Sequence, residues 1–331
     1  MRPLVSVITP TKNRLALLCQ AIDSVRAQTL ADWEHIIVDD GSDDGSIEEV
    51  ERRAAADPRI RLIRRSSEKA GASVCRNIGI RAARGEFVML LDSDDLITPA
   101  CLGQRVERLT RNQDADFVTF QCSFFINEID DQAHRVDHDL DGDHLTQFLF
   151  FELPWVISGP IWRKASLERI GLFDESLLSW QDVELHIRAL TSGVRYLRFP
   201  EVDHHIRWDN SVGRVSADQR KSFRHLQAAA ALFEKIECMI REGPGMNWIR
   251  QRGVCSLYFF IAHLLAASGH TREALRAWGA VRARYLATRT LHLSGASLLV
   301  ALSLGLPCER AIGKWKGLMR LRTNAELVAP H

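Results

Sequence analysis

The stretch Glu86-Phe87-Val88-Met89-Leu90-Leu91-Asp92-Ser93-Asp94-Asp95 decides the fold. Phe87 to Leu91 is an unbroken apolar run and reads as a strand buried on both faces, as the strands of parallel sheets are. It runs straight into three carboxylates within four residues. Unpartnered charge is costly to bury, so this cluster belongs at the rim of a sheet and not in a core. Open α/β sheets bind their ligands at that rim, beyond the carboxyl ends of the strands. Closely spaced carboxylate oxygens suit a hard divalent cation, Mg2+ or Mn2+, which also holds phosphates. The same residues also read more plainly, as a solvated acidic turn capping the helix after Pro99.

The residues upstream supply the context. Leu4 to Thr9 is a first strand, and Pro10-Thr11-Lys12-Asn13-Arg14 a polar loop. Leu15, Leu18, Ile22 and Val25 recur at the spacing of an amphipathic helix. Trp33 to Val38 is a second strand and ends in the acidic loop Asp39 to Ser46. Ile60 to Ile63 is a short third strand, and a helix follows Gly71 as far as about Arg84, with Gly85 as its terminator. Strand alternating with helix up to Leu91 is the rhythm of a parallel sheet with helices on its faces. The turn after the first strand lacks the Gly-x-Gly-x-x-Gly of dehydrogenase-type domains, and no Gly-Lys-Ser/Thr phosphate loop is present. This sheet would hold phosphate through a metal ion and not in a glycine cradle.

Downstream, a helix runs from Pro99 to about Asn112 and a strand from Asp116 to Ile126. Residues 130–144 hold six Asp and three His in spacings that match no recurrent metal site, and read as a solvated loop. Trp180 to Leu190 is an amphipathic helix. Asp182 in its first turn either stabilises the helix terminus or serves as a general base at a pocket rim. Tyr196 to Phe199 is a strand, followed by the polar cluster His204-His205-Ile206-Arg207-Trp208, in which either histidine is a candidate metal ligand. From about Ala217 the pattern is helical to the end.

A net charge of +1 over 331 residues gives no case for general nucleic-acid binding. The charge is uneven: residues 241–331 carry 13 Lys+Arg against 4 Asp+Glu, a balance of +9 that leaves −8 for the first 240. Such a basic helical third is either a solvated face or a surface for a partner or anionic lipid. Seven cysteines with no Cys-x-x-Cys pair point to reduced thiols and a cytoplasmic setting. Met1 to Ile8 reads as a strand onset with no signal peptide, and Leu291 to Leu306 is too short and polar to span a bilayer.

Taken together, the motifs from Val5 to about Ser211 resemble glycosyltransferase family 2, the inverting nucleotide-sugar transferases of GT-A fold. They comprise Val5 to Asn13, Ile37 to Ser42, Gly71 to Asn77, Gly85 to Phe87, Asp92 to Asp95, Gly171 to Glu175, and Gln181-Asp182. The resemblance implies an α/β GT-A domain, a Rossmann-like and mainly parallel sheet with helices on both faces, over residues 1–215. Its nucleotide-sugar half would be about 1–115 and its acceptor half about 116–215, with a helical region over 216–331. It implies that Pro10 borders the nucleotide base, that Asp40 hydrogen-bonds the base, commonly uracil, and that Arg76 lies near the base or diphosphate. Asp92 would stand near the ribose and metal, with Asp94 as the ligand of Mg2+ or Mn2+ and His205 as a further candidate ligand. Asp182 would deprotonate the acceptor, and residues 203–211, with Arg207, would close over the diphosphate. The acceptor implied is a polysaccharide, lipid-linked or surface glycan, reached in the cytoplasm or at the inner membrane face. Gln181 stands where the family often has Glu, and Trp208-Asp209 departs from the usual polar contact after Arg207. A non-catalytic nucleotide-sugar-binding scaffold, docking partners through the basic helical region, is the competing expectation.

Overall fold

The computed structural model describes residues 2–129, 131, 142–208, 223–283, 289–304, 306, 308 and 310–312. Most of the Asp- and His-rich run, residues 209–211 of the expected closing segment and residues 313–331 lie outside that set. The chain divides into two compact units. The first is built from Met1–Gly142, Pro154–Ser176 and Ser192–Asn210, the second from Asp143–Leu153, Leu177–Thr191 and Ser211–His331.

The first unit is organised on one eight-stranded sheet. Its strands are β1 (Val5–Thr11), β2 (Trp33–Asp39), β3 (Ile60–Arg64), β4 (Phe87–Leu90), β5 (Leu96–Ile97), β6 (Phe117–Phe125), β7 (Pro160–Arg163) and β8 (Tyr196–Arg207). They lie in the order β3-β2-β1-β4-β7-β6-β8-β5. β3, β2, β1 and β4 are mutually parallel, and β7 pairs antiparallel with both β4 and β6. Helices α1 (Leu15–Arg26), α2 (Ser46–Ala56), α3 (Ala72–Ala82) and α4 (Cys101–Arg111) make the early crossovers, and α6 (Lys164–Arg169) follows β7. Val5, Val7, Met89 and Leu91 from the sheet pack with Leu18, Ile22 and Val25 of α1 and with Leu102 and Leu109 of α4. Every residue of β1, β2 and β4 is buried, which explains the unbroken apolar run of β4.

Three local expectations give way to tertiary contacts. β1 does not stop at Thr9 but continues through Pro10 to Thr11. Asp40 donates its N–H to the Thr11 carbonyl, while Leu91 donates to that of Ile8, so Pro10 faces the side where pairing with β4 has already ended. Its missing N–H therefore costs no ladder bond. α3 ends at Ala82 because Ala83 turns extended, and Gly85 has a different task from stopping a helix. A Cβ at Gly85 would lie 2.6 Å from the Ser6 backbone nitrogen, so this glycine lets β4 enter beside β1. The third is β8, which runs on to Arg207, so residues 203–207 are paired strand and not a flexible closing segment. Its continuation buries Asp203 and His204, whose polar groups find partners in α4.

The second unit is helical. It contains α5 (His144–Leu149), α7 (Gln181–Thr191), α8 (Phe223–Glu242), α9 (Trp248–Ala267), α10 (Thr271–Ala283) and α11 (Arg289–Ser303). Trp278, Tyr258, Phe148, Phe233 and Phe259 are among its large buried side chains. Two glycines set close approaches: a Cβ at Gly253 would meet Leu149 at 2.6 Å, and one at Gly295 would meet the Trp278 ring at 2.7 Å. Among the described residues no helix is long and apolar enough to cross a membrane.

Candidate functional site

The carboxyl ends of β1, β2 and β4 carry Pro10, Asp40, Asp92 and Asp94. Pro10 is buried near the end of β1 and pairs in register with Val38. Beyond it, Asn13 takes a left-handed conformation with φ 51°. Its N–H donates to Ser42 Oγ at 2.9 Å, and its Oδ1 accepts from Asp43 N at 2.8 Å. The loops after β1 and β2 are thus tied to each other. Asp39 closes the second loop on itself by accepting from the N–H groups of Gly41 and Ser42.

Asp40 follows β2 with its side chain 12% exposed. Arg65 Nε donates to its carboxylate, and so does the N–H of Gly71, at 3.1 Å. Arg65 is itself held by the carbonyls of Ser67 and Lys69. Cys75 is buried in α3, where burial first and the Asp40 carboxylate second push its thiol up to about 12, so it stays protonated.

The acidic motif is held by arginines from three directions. Arg76 of α3 donates from Nη2 to Asp92 Oδ1 at 2.6 Å, and Arg14 donates from Nη1 to Asp94 Oδ2 at 2.7 Å. Arg207, at the end of β8, donates from Nε to the Asp94 carbonyl at 3.3 Å and from Nη1 to the Ile126 carbonyl at 2.9 Å. Its own N–H reaches Asp95 Oδ1 at 3.3 Å, and Ser158 Oγ donates to Asp95 Oδ2 at 2.8 Å. Burial, then the charges of Asp94 and Asp92, raise the Asp95 carboxyl well above the usual carboxylate range. Arg76 is 5% exposed, lies 5.3 Å from the Phe173 ring, and has no partner for Nε or Nη1. A buried guanidinium left so short of acceptors is a ready anion receptor. Next to it, the Asn77 amide clamps Phe173 by both its N–H and its carbonyl and also reaches Glu175 at 2.8 Å.

Pro10, Asp40, Arg76, Asp92, Asp94 and Arg207 therefore all belong to the sheet unit. His205 lies in β8 opposite Leu96, with Nδ1 2.7 Å from Ser123 Oγ. His204 is fully buried against Asp203 and Arg105, and burial lowers its pKa. Asp182 opens α7 in the helical unit. Two residues along, Glu184 is fully buried and ion-paired to Arg188 at 2.9 Å and Lys235 at 2.8 Å. Trp180, just before α7, has φ 63° and packs on Phe151, Phe233 and Phe260. The sequence reading assigned no role to Arg14, Arg65 or Asn77 individually. The only signal for the first two is a cation just past the carboxyl end of a strand, at the same rim as the acidic motif.

Among the described residues, no group of three or more His, Cys, Asp and Glu side chains gathers as a ready metal centre. The donor set at the motif nonetheless fits a hard cation. Asp92 and Asp94 offer carboxylate oxygens, and each already stabilises a positive charge in the form of a guanidinium.

The profile of the family described as Glycosyl transferase family 2 matches residues 6–170. The uncharacterized glycosyltransferase EpsJ of Bacillus subtilis (strain 168) is 33% identical over 210 residues, which is 59% of this chain and 58% of EpsJ. The putative glycosyltransferase EpsH of the same organism is 29% identical over 264 residues, 75% of this chain and 72% of EpsH. The crystal structure of S. aureus TarS 1-349 in complex with UDP-GlcNAc superposes with a TM-score of 0.69 at 16% identity, covering 97% of this chain and 92% of that one. The mannosyltransferase PcManGT from Pyrobaculum calidifontis, in complex with GDP-Man and Mn2+, superposes with a TM-score of 0.57 at 20% identity, covering 99% and 88%. The fold is GT-A.

Proposed function

The chain belongs to glycosyltransferase family 2, and on that footing we propose that it transfers a sugar from a nucleotide-diphosphate sugar, uridine-linked, to a glycan acceptor. One observation carries this reading. In one sheet unit the carboxyl ends of β2 and β4 carry Asp40, Asp92 and Asp94, and α3 sets the buried guanidinium of Arg76, with unused donors, against Asp92. That combination matches a ligand that is itself a polyanion accompanied by a cation.

In this assignment the base stacks by Pro10 and hydrogen-bonds Asp40, which Arg65 and Gly71 hold in place. Arg76 and Arg207 receive the diphosphate, and Asp92 receives the ribose. Asp94, with Asp92 beside it, would hold a Mg2+ or Mn2+ ion, which would supply positive charge at the diphosphate leaving group. Asp182 takes the proton of the acceptor hydroxyl as its oxygen bonds to the anomeric carbon and the bond to the diphosphate breaks. A single displacement inverts that centre. The acceptor is a polysaccharide, lipid-linked or surface glycan. His205, whose Nδ1 lies 2.7 Å from Ser123 Oγ, is a further candidate ligand through its other ring nitrogen.

A thermal-shift screen against UDP, GDP, CMP and dTDP sugars, each with and without Mn2+, tests the reading, since a ligand of the native state raises the melting temperature. A Mn2+-dependent rise with one nucleotide supports it and identifies the donor class. No rise with any of them removes it and favours a scaffold that binds partners instead.

A further inference from the structure

We propose that Arg14 and a divalent cation compete for the Asp94 carboxylate, so that Arg14 couples cation binding to nucleotide binding. This rests on the assignment of Asp94 as the cation ligand.

Arg76 and Arg14, which ion-pair with Asp92 and Asp94, are placed very differently. Arg76 lies within α3 with its side chain 6% exposed, and its helix is pressed against β1. The contact is so close that a Cβ on Gly79 would fall 2.3 Å from Ile8 Cγ2. With its side chain enclosed, Arg76 has little room to swing away from Asp92. Arg14 is the N-cap residue of α1, follows the left-handed Asn13, and has its side chain 25% exposed. Its long side chain can swing to a new rotamer while the backbone stays in place. Arg14 is therefore the detachable partner and Arg76 the fixed one.

Arg14 Nη1 lies 2.7 Å from Asp94 Oδ2, and the Asp94 side chain is only 13% exposed. A cation ligated by the same small carboxylate would stand within a few ångströms of that guanidinium. Like charges that close repel strongly where water is partly excluded. A nucleoside diphosphate reverses the balance, because its oxygens ligate the cation and also accept from the displaced guanidinium, for which paired oxygens are a good geometric match. Cation and nucleotide then bind with positive coupling, and by linkage each strengthens the other by the same factor.

The test titrates Mn2+ into the full chain, reading free Mn2+ by its paramagnetic resonance signal, without nucleotide and with saturating UDP, or GDP if the melting screen selects guanine. Wild-type protein should bind Mn2+ about tenfold more tightly with nucleotide present, within the usual range of such couplings. Arg14→Gln and Arg14→Ala should bind Mn2+ alone about tenfold more tightly than wild type and lose most of the coupling, while Arg14→Lys, which keeps the charge, should retain part of it. Folded Arg14 variants with unchanged or weaker Mn2+ affinity in the absence of nucleotide overturn the proposal. Asp94→Asn separates the two ideas. If it binds Mn2+ as wild type does, the assignment of Asp94 fails and the proposal falls with it. If it loses Mn2+ while the Arg14 variants leave the affinity unchanged, only the proposal falls.

Discussion

Arg105 Nη2 and Asp203 Oδ1 stand 2.6 Å apart with both side chains fully buried. Arg105 Nε reaches the other Asp203 oxygen at 2.7 Å, and Nη1 reaches the Ser158 carbonyl at 2.8 Å. A bidentate pair of this kind locks β8 to α4 and so fixes the strand that carries Arg207 to the acidic motif.

Removing one partner of such a pair strands a charge in the core. Arg105→Met should destabilise the sheet unit by about 3–5 kcal/mol, whereas Arg105→Met with Asp203→Leu should cost less than the single change. Denaturant midpoints of the three proteins decide it. A double variant as damaged as the single would mean that the packing, and not the stranded charge, sets the cost.

Two buried groups give stability a defined response to acid. Burial acts to raise the Asp203 carboxyl, but the charge and hydrogen bonds of Arg105, with His204, outweigh it and hold the group below the usual range. Its contribution is full above the unfolded carboxylate value of about 4 and is lost as pH falls below that. Burial alone lowers His35 from 6.5 to about 3, while its Nε2 stays 2.9 Å from Thr9 Oγ1. The unfolded chain then binds a proton that the native state refuses, so stability falls as pH drops from about 6.5 towards 3. His35→Gln should flatten the loss between pH 7 and pH 4, measured as melting temperature against pH. An unchanged slope would assign the acid response elsewhere.

Asp94→Asn keeps the size of the side chain and removes its charge. Binding of the nucleotide selected by the melting screen should lose its Mn2+ dependence, with affinity falling about tenfold or more, or ~1.4 kcal/mol. Calorimetric titration with and without Mn2+ reads this directly, and an undiminished metal dependence would exclude Asp94 as the ligand.

Asp182→Asn should separate binding from chemistry. Nucleotide-sugar affinity should be preserved while transfer falls by about 10²–10⁴-fold, the usual contribution of a positioned base. Product formation under saturating donor is the readout. A variant that turns over normally would place the base on another side chain.

Gly79→Ala should disturb the site from behind. The added Cβ would lie 2.3 Å from Ile8 Cγ2, so α3 or Ile8 must give way, and overpacking of this kind costs about 1–3 kcal/mol. Because α3 carries Arg76, nucleotide affinity should fall along with the melting temperature. Ile8→Ala in the same chain, which removes the opposing methyl, should restore part of the affinity; no recovery would argue that the glycine acts locally on the helix.

Much of the site could be read in the sequence because it is written locally. The apolar runs ending in Asp39-Asp40 and in Asp92-Ser93-Asp94-Asp95 place their carboxylates at strand ends whatever the pairing partner. Gly71 to Asn77 places Arg76 early in a helix in the same way. Local signals mislead where a neighbour in space overrides them. Pro10 reads as a strand breaker until β1 is seen to have parted from β4 at that point. His204-His205 reads as a polar cluster beyond the strand until Arg105 is found 99 residues away with its donors turned on that segment.

The sequence by itself determined the strand–helix rhythm, the acidic rim and the glycosyltransferase resemblance, because each rests on side chains only a few residues apart. Only the tertiary structure decided which cation meets which carboxylate. Arg14 reaches Asp94 across 80 residues, Arg65 reaches Asp40 across 25, and Arg207 threads from β8 to the Asp94 carbonyl across 113. It also inserted β7 between β4 and β6 and grouped α7, with Asp182, among the helices of the second unit. Coulomb attraction and hydrogen bonding act over a few ångströms of space and are blind to chain separation, so these pairings exist only once the sheet has set its strand order.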